Sequence, residues 1–464
     1  MPYFEELRRQ IETISLWADM RHEQHAPVKP ILKRLRKDLA RALRKLEQAR
    51  PRRKMREREP NDLEAIRALR PNGPRRLWRR FRARGLYHRL RGAWLGRAAG
   101  CTLGAPVELW SVNAMETLAA AHGAAFPPED YWPAHPAPDQ LRYGVSRMAD
   151  YLRGKIRHVP ADDDLAYTLL GLLILETYGP DFTTEDVAAA WLSLLPTACT
   201  AEAVTLENLR AGVPPSLAGE RNNPYQEWIG ADIRSDPWGY AAPGWPEKAA
   251  QMAYRDAILS HRAGGVYGAM FFAATIAAAF AVDCPMEALR IGLTEIPEEC
   301  RLAADLRWAL ELAPSLKDWR EARAAVDERF PDMHPVHTNN NACLTVFGLA
   351  LGHMDFTRTI GVTVAMGLDN DCTAATAGSI LGAVLGSERI PRHWWEPFRN
   401  TASTYLIGYE RFRNTDVVTR FFAVARRVWE PADTPKTFPP RAVSPDATGP
   451  LSAISTQTDC SSVS

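Results

Sequence analysis

The stretch from residue 367 to 386, GLDNDCTAATAGSILGAVLG, limits the possible folds more than any other part of the chain. Gly378, Gly382 and Gly386 recur every four residues. On a helix they share one face, and a face without Cβ atoms can lie against another backbone at close range. Asp369 and Asp371 stand in the turn that feeds this helix. Acids at a helix N-terminus are favoured by the dipole and can act as caps. Capping accounts for one Asp. Two carboxylates at the mouth of a buried helix also suit a cation with oxygen ligands. From this stretch alone, cap and cation stand level.

A second stretch adds weight to the cation. Asp162, Asp163 and Asp164 are consecutive and precede LAYTLLGLLILETYG. That run is apolar nearly all round and too short to span a bilayer, which makes it a buried core helix. Three adjacent carboxylates at its mouth repel one another. Either water solvates them or divalent cations relieve the repulsion.

With both stretches in view, the chain resembles the ADP-ribosylglycohydrolases. That family carries a Thr-Asp-Asp-Thr tetrad opening a core helix, and a late Gly-Gly-Asp-x-Asp-Thr motif before a Gly- and Ala-rich helix. The matching positions are Asp162-Asp163-Asp164-Leu165 and Gly367-Leu368-Asp369-Asn370-Asp371-Cys372. An early Gly-rich helix ending near a Glu corresponds to GAWLGRAAGCTLGAPVE, from Gly92 to Glu108. The segment IGADIRSDPWGYAAPG, from Ile229, and the pair Ser260-His261 also match family segments. The motifs occur in the family's order over residues 86–430.

The resemblance implies a set of roles. Asp162, Asp163, Asp164, Asp369, Asp371 and Cys372 match metal ligands for two divalent cations, Mg2+ or Mn2+. Glu108 matches the acidic residue of a mobile flap, which with Asp371 is expected to be catalytic. Gly230, Ala231 and Arg234 match a segment lining the substrate cleft, where glycine lets backbone N–H groups approach a diphosphate. Ser260 and His261 match a pair near the site. His337-Thr338-Asn339-Asn340-Asn341 precedes another apolar helix and reads as its cap. The chain departs from the pattern at Asp162, Leu165 and Cys372, where the family has Thr, and at Cys101, where it often has Asp. A thiol is a poorer ligand for Mg2+ than a hydroxyl.

The near-zero net charge hides an asymmetry. Residues 1–91 hold 27 Lys and Arg against 11 Asp and Glu, so the rest of the chain is acidic. An acidic body suits a metal site and disfavours general nucleic-acid binding there. The seven cysteines (Cys101, Cys199, Cys284, Cys300, Cys343, Cys372 and Cys460) are scattered, with no CxxC. That is neither a disulfide framework nor a zinc site, and it fits a reducing cytosol. The start, MPYFEELRRQIETISL, lacks the apolar core of a signal peptide. The apolar run from Tyr267 falls short of a membrane span and reads as a buried helix.

Residues 1–50 are helical in pattern, with Leu32, Leu35, Leu39, Leu43 and Leu46 spaced at threes and fours among basic residues. This basic amphipathic helix is expected to pack its Leu stripe on the main domain or on a partner; its charge also leaves nucleic-acid or membrane-surface contact open. The stretch from Ala49 reads as a linker, completing an extension over residues 1–85. Helices are expected at 86–101, 145–155, 165–178, 184–194, 200–210, 247–258, 264–281, 286–293, 299–313, 318–329, 339–351, 356–365 and 373–386. Asn222 to Pro246 reads as a long aromatic loop, either functional or plugging the core. The Pro-, Ser- and Thr-rich residues 431–464 read as a disordered tail. The expected fold is an all-α, compact multi-helix orthogonal bundle of the ADP-ribosylglycohydrolase type over residues 86–430.

The expected function is metal-dependent cleavage of the glycosidic bond of ADP-ribose adducts, on protein side chains above all, in the cytoplasm and without a membrane partner. The rival is a non-catalytic member of the fold that binds ADP-ribose or a partner. Five carboxylates in the two motifs argue for the enzyme, because a purely structural protein has no use for them.

Overall fold

In a computed structural model, which describes residues 3–430, the helices Leu86–Gly104 and Asn370–Leu385 pack backbone to backbone at the centre of the fold. A Cβ on Gly96 would overlap the carbonyl of Gly378, and a Cβ on Gly378 would overlap that of Gly96. Gly92 and Gly382 repeat the relationship one turn away, and Gly100 does so against Ala374. The glycine face seen in the late helix therefore has a partner face, Gly92, Gly96, Gly100 and Gly104, at the same four-residue spacing. The backbone of Gly386 borders the end of the seam, where a Cβ on Gly92 would crowd it. Gly386 ends the late helix at φ +77°, a conformation that glycine adopts without strain.

Around this pair the chain is all-α. The helix Asp163–Tyr178 has no exposed residue between Asp164 and Leu175. The helix Gly264–Ala279 is buried along its whole length, as the Ala-rich run from Tyr267 led us to expect. Observed helices include Thr184–Leu194, Thr200–Arg210, Pro246–Ala257, Pro285–Gly292, Arg301–Leu312, Trp319–Arg329, Thr338–Leu351 and Phe356–Ala365, each within about two residues of its expected bounds. No helix among the described residues is long and apolar enough to cross a membrane.

Three expectations need correction. Residues 145–155 do not form a helix. Leu141–Arg142 and Ser146–Arg147 pair antiparallel as a small hairpin, followed by a 3-10 turn, Met148–Tyr151. Its turn has positive φ at Tyr143 and Gly144, and a tertiary contact from Arg142 holds it. Asn222 to Pro246 is not an open loop: it holds a 3-10 helix, Ile229–Arg234, and a helix, Asp236–Ala241, both buried. Its Trp238 is a core residue, wedged at 4.8 Å against Phe182. The basic N-terminus forms two helices, Glu5–Glu23 and Val28–Gln48, rather than one, and neither has a buried residue. Leu39, Leu43 and Leu46 are exposed, while Leu32 and Leu35 are half-buried, so the stripe is at most partly covered.

The linker is more anchored than its composition implied. Glu59 pairs with Arg301, Arg70 with Glu295 and Glu247, and Ile66 and Trp78 enter the core. The tail expected at 431–464 lies outside the described residues.

Candidate metal centre and cleft

The early and late glycine helices bring the acidic motifs together. Gly104 lies against the backbone of Asn370 and Asp371, leaving no room for a Cβ. Glu108 follows four residues later, after a short turn, Ala105–Val107. Asp162 caps the helix that starts at Asp163, its Oδ1 accepting from the N–H of Asp164 at 3.2 Å. Asp369 occupies the same position on the late helix but makes no capping bond. Of the two readings of the late motif, capping fails for Asp369.

Ligand atoms of Cys101, Asp162, Asp164 and Asp371 lie within 4.8 Å of one another, as do those of Asp369, Asp371 and Cys372. Asp164 Oδ2, Asp369 Oδ1 and Asp371 Oδ1 are buried without a hydrogen-bond partner. Buried carboxylate oxygens are normally satisfied, and three orphans in one cluster fit the coordination of a hard cation. Burial pushes Asp164 and Asp369 up to about 7. Burial first, then neighbouring carboxylates, also raises Asp163 and Asp371 well above the ordinary range. The thiols of Cys101 and Cys372 move up for the same reasons and stay neutral at pH 7.

Two arginines that sequence reasoning passed over complete the cluster. Arg97 is fully buried, pairing with Asp164 at 2.8 Å and Asp236 at 2.7 Å and donating to Thr168. A lone Arg within the apolar, small-residue run WLGRAAG was a signal that a buried acid faces it. Arg142, on the hairpin, reaches Glu108, Asp162 and Asp371. Nothing in the pattern QLRYGVSR marks it, because only the turn brings it to the cluster.

Gly230, Ala231, Arg234, Ser260 and His261 lie together but are buried. Arg234 pairs with Glu202 and, at 2.7 Å, with Asp256, and donates to Ser260 Oγ at 3.0 Å. Its guanidinium sits over Trp191 and Tyr167. Ser260 Oγ meets His261 Nδ1 at 2.8 Å. A Cβ on Gly230 would strike the Glu202 carboxylate. Arg234, Glu202, Asp256, Ser260 and His261 form one buried network, in which His261 Nε2 has no partner. Asp232, in the same segment, has both carboxylate oxygens buried and unpartnered; it was not singled out from sequence. His337 caps its helix through Nδ1, as expected, and Asn341 Oδ1 accepts from the N–H of Asp369.

A seam of two glycine helices joins two acidic helix mouths inside an all-α body. The profile of the ADP-ribosylglycohydrolase family matches residues 82–432, and the chain belongs to that family. A solved structure described as an ADP-ribosylglycohydrolase-related protein complex superimposes with a TM-score of 0.52 at 20% identity, covering 74% of this chain and 99% of that one. The likeness is one of fold. No curated protein matches the chain in sequence.

Proposed function

We propose that the protein hydrolyses the glycosidic bond of ADP-ribose adducts, with mono-ADP-ribosylated protein side chains as the leading substrate class, and that it needs Mg2+ or Mn2+. The observation that carries this reading is the group of orphaned oxygens on Asp164, Asp369 and Asp371, next to a Glu108 that keeps about a quarter of its side-chain surface open to solvent. Asp163, Asp164, Asp369 and Asp371 would hold the divalent cations, with Asp162 and Cys372 at the margin. When bound, such cations neutralise the cluster, position ribose hydroxyls and make water more acidic.

The remaining roles belong to the chain. Cleavage at an anomeric carbon passes through an oxocarbenium-like state and needs an activated water. Glu108, with one edge open, would accept the proton of the attacking water. Its other edge receives Arg142, which fixes the carboxylate's direction. Gly230, Ala231, Arg234, Ser260 and His261 are buried and would act by supporting the cluster rather than by touching substrate.

A second reading, binding of ADP-ribose without turnover, is favoured by the same Arg142–Glu108 contact, which engages the base. The discriminating experiment incubates the protein with Mn2+ and a mono-ADP-ribosylated protein or ADP-ribosyl-arginine and measures free ADP-ribose by chromatography. Release that chelator abolishes supports the enzyme. Binding of ADP-ribose with no release from arginine, serine or other protein adducts replaces it with the binding reading.

A further inference from the structure

Arg142 puts a permanent positive charge where the acidic motifs converge. Its three guanidinium nitrogens each donate to a different carboxylate: Nε to Asp162 Oδ2 at 2.7 Å, Nη1 to Glu108 Oε2 at 2.6 Å and Nη2 to Asp371 Oδ2 at 2.5 Å. The three acceptors come from three separate stretches of chain, as the ligands of a bridging ion would. The side chain is 11% exposed, so this is a buried cation fully engaged by fixed anions, not a surface pair.

The arrangement divides the cluster. Asp162 has no free oxygen: Oδ2 faces Arg142 and Oδ1 faces the N–H of Asp164. Asp371 gives Oδ2 to Arg142 and keeps Oδ1 free. The unpartnered oxygens are on Asp164, Asp369 and Asp371, and Asp371 joins the two groups: it lies with Cys101, Asp162 and Asp164 on one side and with Asp369 and Cys372 on the other. Arg142 therefore neutralises one part of the cluster, Arg97 pairs with Asp164 Oδ1 in the other, and Asp164 Oδ2, Asp369 Oδ1 and Asp371 Oδ1 remain without a partner. We propose that Arg142 is a built-in cation, so that this chain takes a single divalent ion, held by Asp164, Asp369 and Asp371, where two were expected.

The hairpin that carries Arg142 is short. It is tied down through the N–H of Ala161 donating to Ser146 Oγ at 2.8 Å, and through Tyr143, which packs at 5.3 Å on Tyr405 and neighbours Asp163. Those tethers hold Arg142 in place when the neighbouring ion binds. Guanidinium does not exchange with buffer cations, so this half of the cluster resists chelators that empty the other.

The inference rests on the reading that the orphaned oxygens bind divalent cations, and ion counting tests it without reference to turnover. Mn2+ binding is measured by calorimetry, and free Mn2+ by electron paramagnetic resonance, on wild type, Arg142→Lys and Arg142→Met, each checked for helical content by circular dichroism. The expected result is one Mn2+ per wild-type chain, one per Arg142→Lys chain, and a doubling to two in Arg142→Met. Two ions bound to wild type would overturn the inference while leaving the metal-dependent hydrolase intact. A folded Arg142→Met that still binds one ion would also overturn it. No Mn2+ bound to wild type would remove both the inference and the metal reading. Should Arg142→Met not fold, the wild-type count alone decides.

Discussion

Gly104 and Asp371 touch backbone to backbone, at the one point where the glycine seam becomes the acidic cluster. The seam therefore sets the distance between Glu108 and the late motif. Gly104→Val would push the Asp371 backbone aside, at a cost of about 1–3 kcal/mol for overpacking. The expected outcome is a lower denaturation midpoint and weaker Mn2+ binding, read by urea unfolding and calorimetry. Unchanged Mn2+ affinity in a destabilised variant would show that the seam does not position the ligands.

Asp369 gives a signed pH prediction for the metal-free protein. Its folded value of about 7 lies above that of the unfolded chain, so the native state holds a proton that the unfolded state has released. Stability is then greatest below the ordinary carboxylate range and falls as pH rises toward 7. The loss amounts to a few kcal/mol at most. In chelator, Asp369→Asn should flatten the stability curve between the two values and make the protein more stable at pH 8. A variant with the wild-type slope over that window would assign the loss of stability with rising pH to other groups.

Cys372 stands where the family motif has a hydroxyl, and its thiol is held neutral by burial and by Asp164, Asp369 and Asp371. Neutral sulfur adds little to Mg2+ binding. Cys372→Thr should leave Mg2+ affinity equal or raise it, whereas wild type should prefer Mn2+ over Mg2+. Titration of both metals into both proteins decides this, and a strong loss of Mg2+ binding in the Thr variant would contradict it.

Removing residues 1–50 should leave catalysis unchanged and stability within about 0.5 kcal/mol. Neither helix of the arm buries a residue, and the arm meets the body where the N–H of Asn222 donates to Glu47. The body is anchored from Glu59 onward. Turnover of an ADP-ribosylated protein and thermal melting of the truncated chain test both parts; lost turnover in a well-folded fragment would make the arm part of the machinery.

The sequence alone determined the elements and the acidic motifs. Long apolar runs bounded by Pro, Gly and capping residues specify helices locally, because the 3.6-residue period and the caps are short-range properties. Most helices were legible for that reason, as was Asp162 at the mouth of its helix. The family motifs named Asp163, Asp164, Asp369 and Asp371, and the orphaned oxygens lie among them. Tertiary structure decided the rest. Gly92 to Gly104 reads as a seam only once its partner helix is known, since the signal is a contact between residues nearly 300 apart in the sequence. Arg234 and His261 looked exposed to substrate from their motif, but Glu202 and Asp256, distant in sequence, enclose the arginine. Arg142 carried no signal at all: a basic residue in a polar loop is ordinary until the hairpin folds it over three carboxylates. Charge placement in a cleft depends on long-range approach of side chains, which local pattern does not encode.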